Sequence, residues 1–133
     1  MDEHPNVDLV LKAFDYVSRR DTEGIMSTWA EDMIYYVVEE TGSTEATGRE
    51  GVLQMMQTGS RMLPDRAYDV VHIEPAGSDL VTAHFRVTGT SGRTGEKVAG
   101  DYVGVFRIRD GLLTEAWEFT SHETQEFLDS AWG

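Results

Sequence analysis

Cysteine is absent from the 133 residues. Its absence removes disulfides, thiolate metal sites and cysteine nucleophiles together, and suits a reducing cytoplasm. No stretch approaches the roughly 18 to 20 apolar residues that a membrane span needs. The start, Met1-Asp2-Glu3-His4-Pro5, carries neither a positive segment nor an apolar run, so no signal peptide is expected. Basic charge is scarce as well: 11 lysines and arginines stand against 24 acids, a net charge of -13. Such a surface repels phosphate backbones and anionic lipid heads, which makes nucleic acid and membranes poor partners. The bases that exist form no stripe along the chain. Internal repeats, linkers and low-complexity tracts are missing too, and the length suits one domain over residues 1–133.

What is present is a change of period. Val7, Val10, Leu11, Phe14 and Val17 recur at helical spacing, with Leu9 and Ala13 widening the stripe. Arg19, Arg20 and Asp21 close this helix, and Asp21 can cap a short second one through Ile25, Met26 and Trp29 that ends near Ala30-Glu31-Asp32. The β-branched and aromatic run 34–38 predicts a strand. Residues 39–46, acidic and polar, predict a loop. Thr47-Gly48-Arg49-Glu50 has the pattern of a capping box and opens a third helix with Val52, Leu53, Met55 and Met56 on its apolar side, stopped by Pro64-Asp65. Beyond it the period falls to 2, and strands are expected over 66–74, 79–90, 97–109 and 112–121. They are joined at Pro75-Ala76-Gly77-Ser78, at 91–95 and at Asp110-Gly111, the last a hairpin signal. A short amphipathic tail, Glu123 to Trp132, ends the chain. Helices first and an antiparallel meander second make the fold class α+β.

This order, with Trp29-Ala30-Glu31-Asp32 before the first strand, Thr47-Gly48-Arg49-Glu50 at the third helix, Asp110-Gly111-Leu112-Leu113-Thr114-Glu115-Ala116-Trp117 at the last hairpin and Glu126-Phe127-Leu128-Asp129-Ser130-Ala131-Trp132 at the end, resembles the SnoaL-like and ketosteroid-isomerase-like members of the nuclear-transport-factor-two-like superfamily. The resemblance implies a cone-shaped, curved antiparallel or mixed sheet wrapped around the N-terminal helices and enclosing a pocket. The places of the ketosteroid isomerase tyrosine, base and protonated aspartate fall here on Ala13, Val37 and Gly104, and Tyr16 lies about one turn out of register. The first-helix acid of scytalone-dehydratase-like members falls on Ser18. SnoaL-like cyclases are similar in placing an acid on the last strand near the tryptophan, where this chain has Glu118 after Trp117, with His122 four residues beyond.

Alternation puts Ala116, Glu118, Thr120 and His122 on one face of the last strand and Glu115, Trp117 and Phe119 on the other, leaving open which face looks inward. A carboxylate and an imidazole on one face of an apolar cone suit acid-base chemistry, because burial lifts the carboxyl toward neutrality. Glu118, His122 and Tyr102 are therefore the candidate catalytic groups. By the family match Tyr35, Val37, Phe85, Val87, Tyr102, Gly104 and Phe106 turn inward with Met55 and Met56, and Tyr35, Val37, Met55, Met56, Phe85, Gly104 and Phe106 are the candidate substrate wall. Tyr102 or Tyr35 could hold an enolate oxygen. The same residues also serve as plain core, and Gly104 marks either room for ligand or a tight packing contact.

His72 and His84 lack the spacing of metal ligands. His84 and Arg86 are expected to face outward. Gly89-Thr90-Ser91-Gly92-Arg93-Thr94-Gly95-Glu96-Lys97 lacks the phosphate-loop spacing, and no nucleophile elbow is present. The expectation is a cofactor-free cyclase, isomerase or dehydratase acting on an apolar carbonyl compound, against a non-catalytic ligand-binding or scaffold domain of the same fold. Trp117, Phe119, Val103 and Val105 alternate onto the other sheet face and point to a homodimer.

Overall fold

The computed structural model describes residues 4–39 and 42–120. Helix α1, Pro5–Ser18, buries Val10, Ala13 and Val17, whereas Leu11, expected in the same stripe, is exposed. Arg20 then adopts φ 54°, turning the chain sharply into α2, Thr22–Thr28. Asp21 caps α2 as expected, its carboxylate accepting from the Gly24 amide at 3.0 Å. Tyr16 lies over Gly24, where even one methyl group would collide with its ring, so the near-register tyrosine of α1 is spent on joining the two helices.

The second helix does not run through Trp29: β1 begins there and spans Trp29–Glu39. Trp29 pairs with Leu113, and an irregularity before Ile34 absorbs the residues read as a turn. The segment read as a loop contains β2, Gly42–Thr47, paired antiparallel to β1. Thr47 is thus the last residue of a strand, and Gly48, at φ +78°, swings the chain into α3, Gly48–Met62.

The remaining strands are β3 (Ala67–Ala76), β4 (Leu80–Thr90), β5 (Lys97–Arg109) and β6 (Leu112–Thr120). Pro75 and Ala76, expected in a turn, extend β3. Asp110 and Gly111 connect β5 to β6 with φ 54° and 75°, the pair of positive values that a type I′ hairpin turn requires. The sheet order is β2-β1-β6-β5-β4-β3, antiparallel except where β1 runs parallel to β6. Among the described residues the fold is α+β, with three helices and a six-stranded mixed sheet.

Alternation works as expected along β4, where Val81, Ala83, Phe85 and Val87 are buried, and along β5, where Val98, Tyr102, Phe106 and Ile108 are buried. These side chains meet α1. Phe14 reaches into the curve of the sheet, its ring 4.8 Å from Phe85, 5.5 Å from Tyr68 and 5.6 Å from Phe106. Each such aromatic contact adds about 0.5–1.5 kcal/mol beyond the area it buries. Phe14 is therefore the peg on which the sheet closes. His84 and Arg86 face outward, both toward Asp101, at 3.0 and 3.5 Å. Among the described residues, no helix is long and apolar enough to cross a membrane.

Candidate functional site

Which face of β6 looks inward is decided by a bulge. Arg107 pairs with Glu115 and Ile108 with Leu113, so β6 carries one extra residue at Thr114, whose hydroxyl donates to the Arg107 carbonyl at 3.3 Å. Strict alternation from the buried Leu113 would send Glu115, Trp117 and Phe119 inside. The bulge shifts the phase by one, so Ala116 is fully buried and Glu118 follows it inward. Trp117 is left on the outer face, stacked on Tyr36 with centroids 5.4 Å apart.

Once inside, Glu118 meets Tyr35. The tyrosine Oη donates to Glu118 Oε2 at 2.6 Å, the length of a charge-assisted hydrogen bond. The residue keeps some exposure overall, but its carboxyl group is withdrawn from water. That desolvation raises its pKa above the ordinary carboxylate value, and the Tyr35 hydrogen bond and the positive Arg66 oppose the rise without cancelling it. Burial raises the neighbouring tyrosines as well. Tyr35 is held well above its usual value by desolvation and by the charge of Glu118. Tyr68 is pushed up to about 12, chiefly by desolvation, and Tyr102 further still, by desolvation and then by Glu118. All three phenols are neutral donors near pH 7, gathered around one carboxyl group whose proton affinity is raised.

Glu118 lies in register with Val37 on β1 and with Gly104 on β5. Those are the positions at which the ketosteroid isomerase resemblance implies carboxylates. The acid stands between them, on the strand they flank.

Tyr102 lines the same wall, its ring stacked on Phe85 with centroids 5.6 Å apart. Phe85 is completely buried and Phe106 nearly so; Val37, Met55 and Met56 are half-buried at the edge of the same core. At Gly104 a Cβ would fall 2.6 Å from the Phe106 ring and 3.1 Å from that of Phe85, so this glycine makes a packing contact. His122, the proposed partner of Glu118, and the amphipathic tail lie outside the described residues. Tyr68 and Arg66 went unnoticed in the sequence. Tyr68 shares the inward alternation of Val70, which is signal enough; Arg66 carried none, because only the fold brings it near Glu118.

The hollow is small. A cavity of about 30 Å³ lies between α1 and the sheet, bounded by Phe14, Val17, Trp29, Tyr35, Met56 and Tyr68 among others. Such a volume holds one or two water molecules. Among the described residues, no group of three or more histidines and acids is placed to hold a metal ion.

A curved mixed sheet closed on its first helix, with a carboxyl and phenols on the concave side, is the cone architecture of the nuclear-transport-factor-two-like proteins. The SnoaL-like domain family matches residues 10–116, and the chain belongs to that family. An uncharacterized PhzA/B-like protein of Pseudomonas aeruginosa is 34% identical over 82 residues, which cover 59% of this chain and 58% of that one. The shared region thus spans less than two thirds of that relative. A SnoaL-like protein of Jannaschia sp. CCS1, described as a candidate polyketide cyclase, has the same fold with a TM-score of 0.83 at 21% identity, covering 98% of each chain. IdmH of Streptomyces antibioticus, also described as a candidate polyketide cyclase, gives 0.79 at 21% identity over 96% of this chain and 99% of IdmH. At these identities the likeness establishes the fold.

Proposed function

We propose that the protein is a cofactor-independent acid-base enzyme of polyketide cyclase type, acting on an apolar metabolite that carries carbonyl groups. The observation that supports this reading most is the Glu118 carboxyl group, turned to the concave side by the Thr114 bulge and held at 2.6 Å by Tyr35. Family membership and the cyclase names of two proteins with the same fold agree with it.

In the proposed reaction the Glu118 carboxylate removes a proton from a carbon beside a carbonyl. The C–H electron pair becomes the enolate, whose oxygen accepts hydrogen bonds from Tyr102 or Tyr68. The enolate carbon then attacks a second carbonyl of the same molecule, forming the ring bond, and the new alkoxide takes the proton from Glu118. No electrons enter or leave and no co-reactant is consumed. His122, four residues beyond Glu118, is the proposed second proton carrier. The wall of Tyr35, Val37, Met55, Met56, Phe85 and Phe106 would hold the apolar body, with the flexible methionines yielding to it. A cytoplasmic location and a homodimer formed through the outer faces of β5 and β6 complete the proposal.

The test compares wild type with Glu118→Gln on a panel of aromatic poly-β-carbonyl compounds. Turnover is expected to fall by roughly 10²–10⁴-fold in the variant, the usual contribution of a general acid-base group. Equal turnover in both proteins removes Glu118 from the chemistry. Binding without turnover in both favours the second reading, a non-catalytic ligand-binding domain, to which the cavity of about 30 Å³ lends weight.

A further inference from the structure

Beside the inner cavity, and sharing Val17 and Met56 with it, lies a recess of about 340 Å³ between the helices. Its size is that of a small-ligand site. Ile25 and Leu53 supply apolar surface, and Arg20, Arg61 and Arg66 supply charge. The sequence shows no basic stripe, yet three of the 11 basic residues converge here in a chain of net charge -13. Among the described residues, none of the three has a carboxylate within 4.0 Å. Asp65, close in sequence, is committed to Thr90, accepting from its amide at 2.6 Å and its hydroxyl at 2.9 Å.

Two of the arginines are held by hydrogen bonds. Arg66 donates to the Met56 carbonyl at 3.2 Å and to Ser60 Oγ at 3.3 Å, with its guanidinium 5.5 Å from the centre of the Tyr68 ring. Arg61 donates to Thr58 Oγ1 at 3.2 Å. Arg20 is held at φ 54°, a conformation that costs a non-glycine residue backbone energy and recurs at functional sites. Asp65 and Glu118 feel the charges of Arg20 and Arg66, yet neither forms an ion pair with them, and a bound anion relieves the repulsion that remains among the three cations.

We propose that this recess binds the anionic end, a carboxylate or an acidic enol, of an apolar organic acid whose body points across Val17 and Met56 toward the inner cavity. The anion site stands on the arginines alone; its role as the substrate's mouth rests on the acid-base reading of Glu118. Arg66 connects the two, because its charge is felt by Glu118 and by the tyrosines around it.

The test uses two fluorescent probes with one ring system, 8-anilinonaphthalene-1-sulfonate and its uncharged counterpart N-phenyl-1-naphthylamine, on the full chain. Arg61→Gln and Arg20→Gln are each expected to weaken the sulfonate about tenfold and to leave the neutral probe unchanged, because only a charge-assisted hydrogen bond is lost. Arg61→Lys, which keeps the charge, should restore part of the affinity. Raising NaCl from 0.05 to 0.5 M should weaken the sulfonate alone. Unchanged sulfonate affinity in the Arg20→Gln/Arg61→Gln double variant, or an equal loss for both probes, overturns the proposal. Glu118→Gln separates the two readings: it should keep the sulfonate while losing turnover. Turnover retained in Glu118→Gln, with the arginine effects intact, rejects the acid-base role and leaves the anion site standing.

Discussion

Tyr35→Phe removes one oxygen atom and leaves Glu118 on the concave face without its hydrogen-bond donor. The bond is 2.6 Å long and its acceptor is a withdrawn carboxyl group, so the loss should cost about 1.5–3 kcal/mol, the range for hydrogen bonds to charged groups. At roughly 3–4 °C per kcal/mol for a chain of this length, the melting temperature near pH 7 should fall by about 5–12 °C. The sign of the pH dependence follows from the shifts. Glu118 already binds its proton more tightly folded than unfolded, and the Tyr35 bond is among the influences that restrain that rise. Without the bond the folded pKa moves up further. Below the wild-type value both proteins carry a neutral carboxyl and differ only by a weaker, neutral hydrogen bond, so the destabilisation should be smallest in acid and grow as pH rises through the two folded pKa values. The acid limb of any pH-rate profile should move to higher pH in the same direction. Thermal melts of wild type, Tyr35→Phe, Glu118→Gln and the double variant across pH 4 to 8 close the cycle. A Tyr35→Phe cost that is flat with pH and identical in the Glu118→Gln background would show that the two side chains do not interact, and the electrostatics of the site would fall with it.

Gly104→Ala places a methyl group 2.6 Å from the Phe106 ring, and overpacking of this kind should cost about 1–3 kcal/mol in urea unfolding; a neutral result would mean that the ring does not rest on that glycine. The outer sheet face carries Val103 at 49% exposure and Phe119 at 40%. Val103→Arg combined with Phe119→Arg should shift light scattering at micromolar concentration from dimer to monomer, and a monomeric wild type contradicts the pairing.

The helices and the meander could be read from the sequence because each is a property of its own residues. The stripe of α1 apart from Leu11, the Asp21 cap, the Asp110-Gly111 turn and the alternation of β4 and β5 are local patterns, and the structure keeps them. The failures share a cause. Gly42 to Thr47 is polar and glycine-containing, and becomes a strand only because β1 lies beside it. Trp29 suits a helix until Leu113 pairs with it from the far end of the chain. In the candidate site, the residue types were visible but their orientation was not. Glu118 and Tyr35 could each be nominated, yet the Thr114 bulge that turns Glu118 toward Tyr35 depends on ladder register between β5 and β6. Arg20, Arg61 and Arg66 carry no signal at their places in the chain and come to one recess only through the fold.

The parallel pairing of β1 with β6 also governs how the protein is made. Tyr35 leaves the ribosome 83 residues before its partner Glu118, so β1 and β2 wait as a two-stranded ribbon with one ladder edge open until β6 has emerged and docked. Contacts of such long sequence separation close late and slowly. Throughout that interval the apolar run around Ile34 to Val38 offers its unpaired edge to other nascent chains. Chaperone demand and aggregation during overexpression should therefore concentrate on this ribbon, and a chain truncated before β6 should contain the three described helices and still lack Glu118.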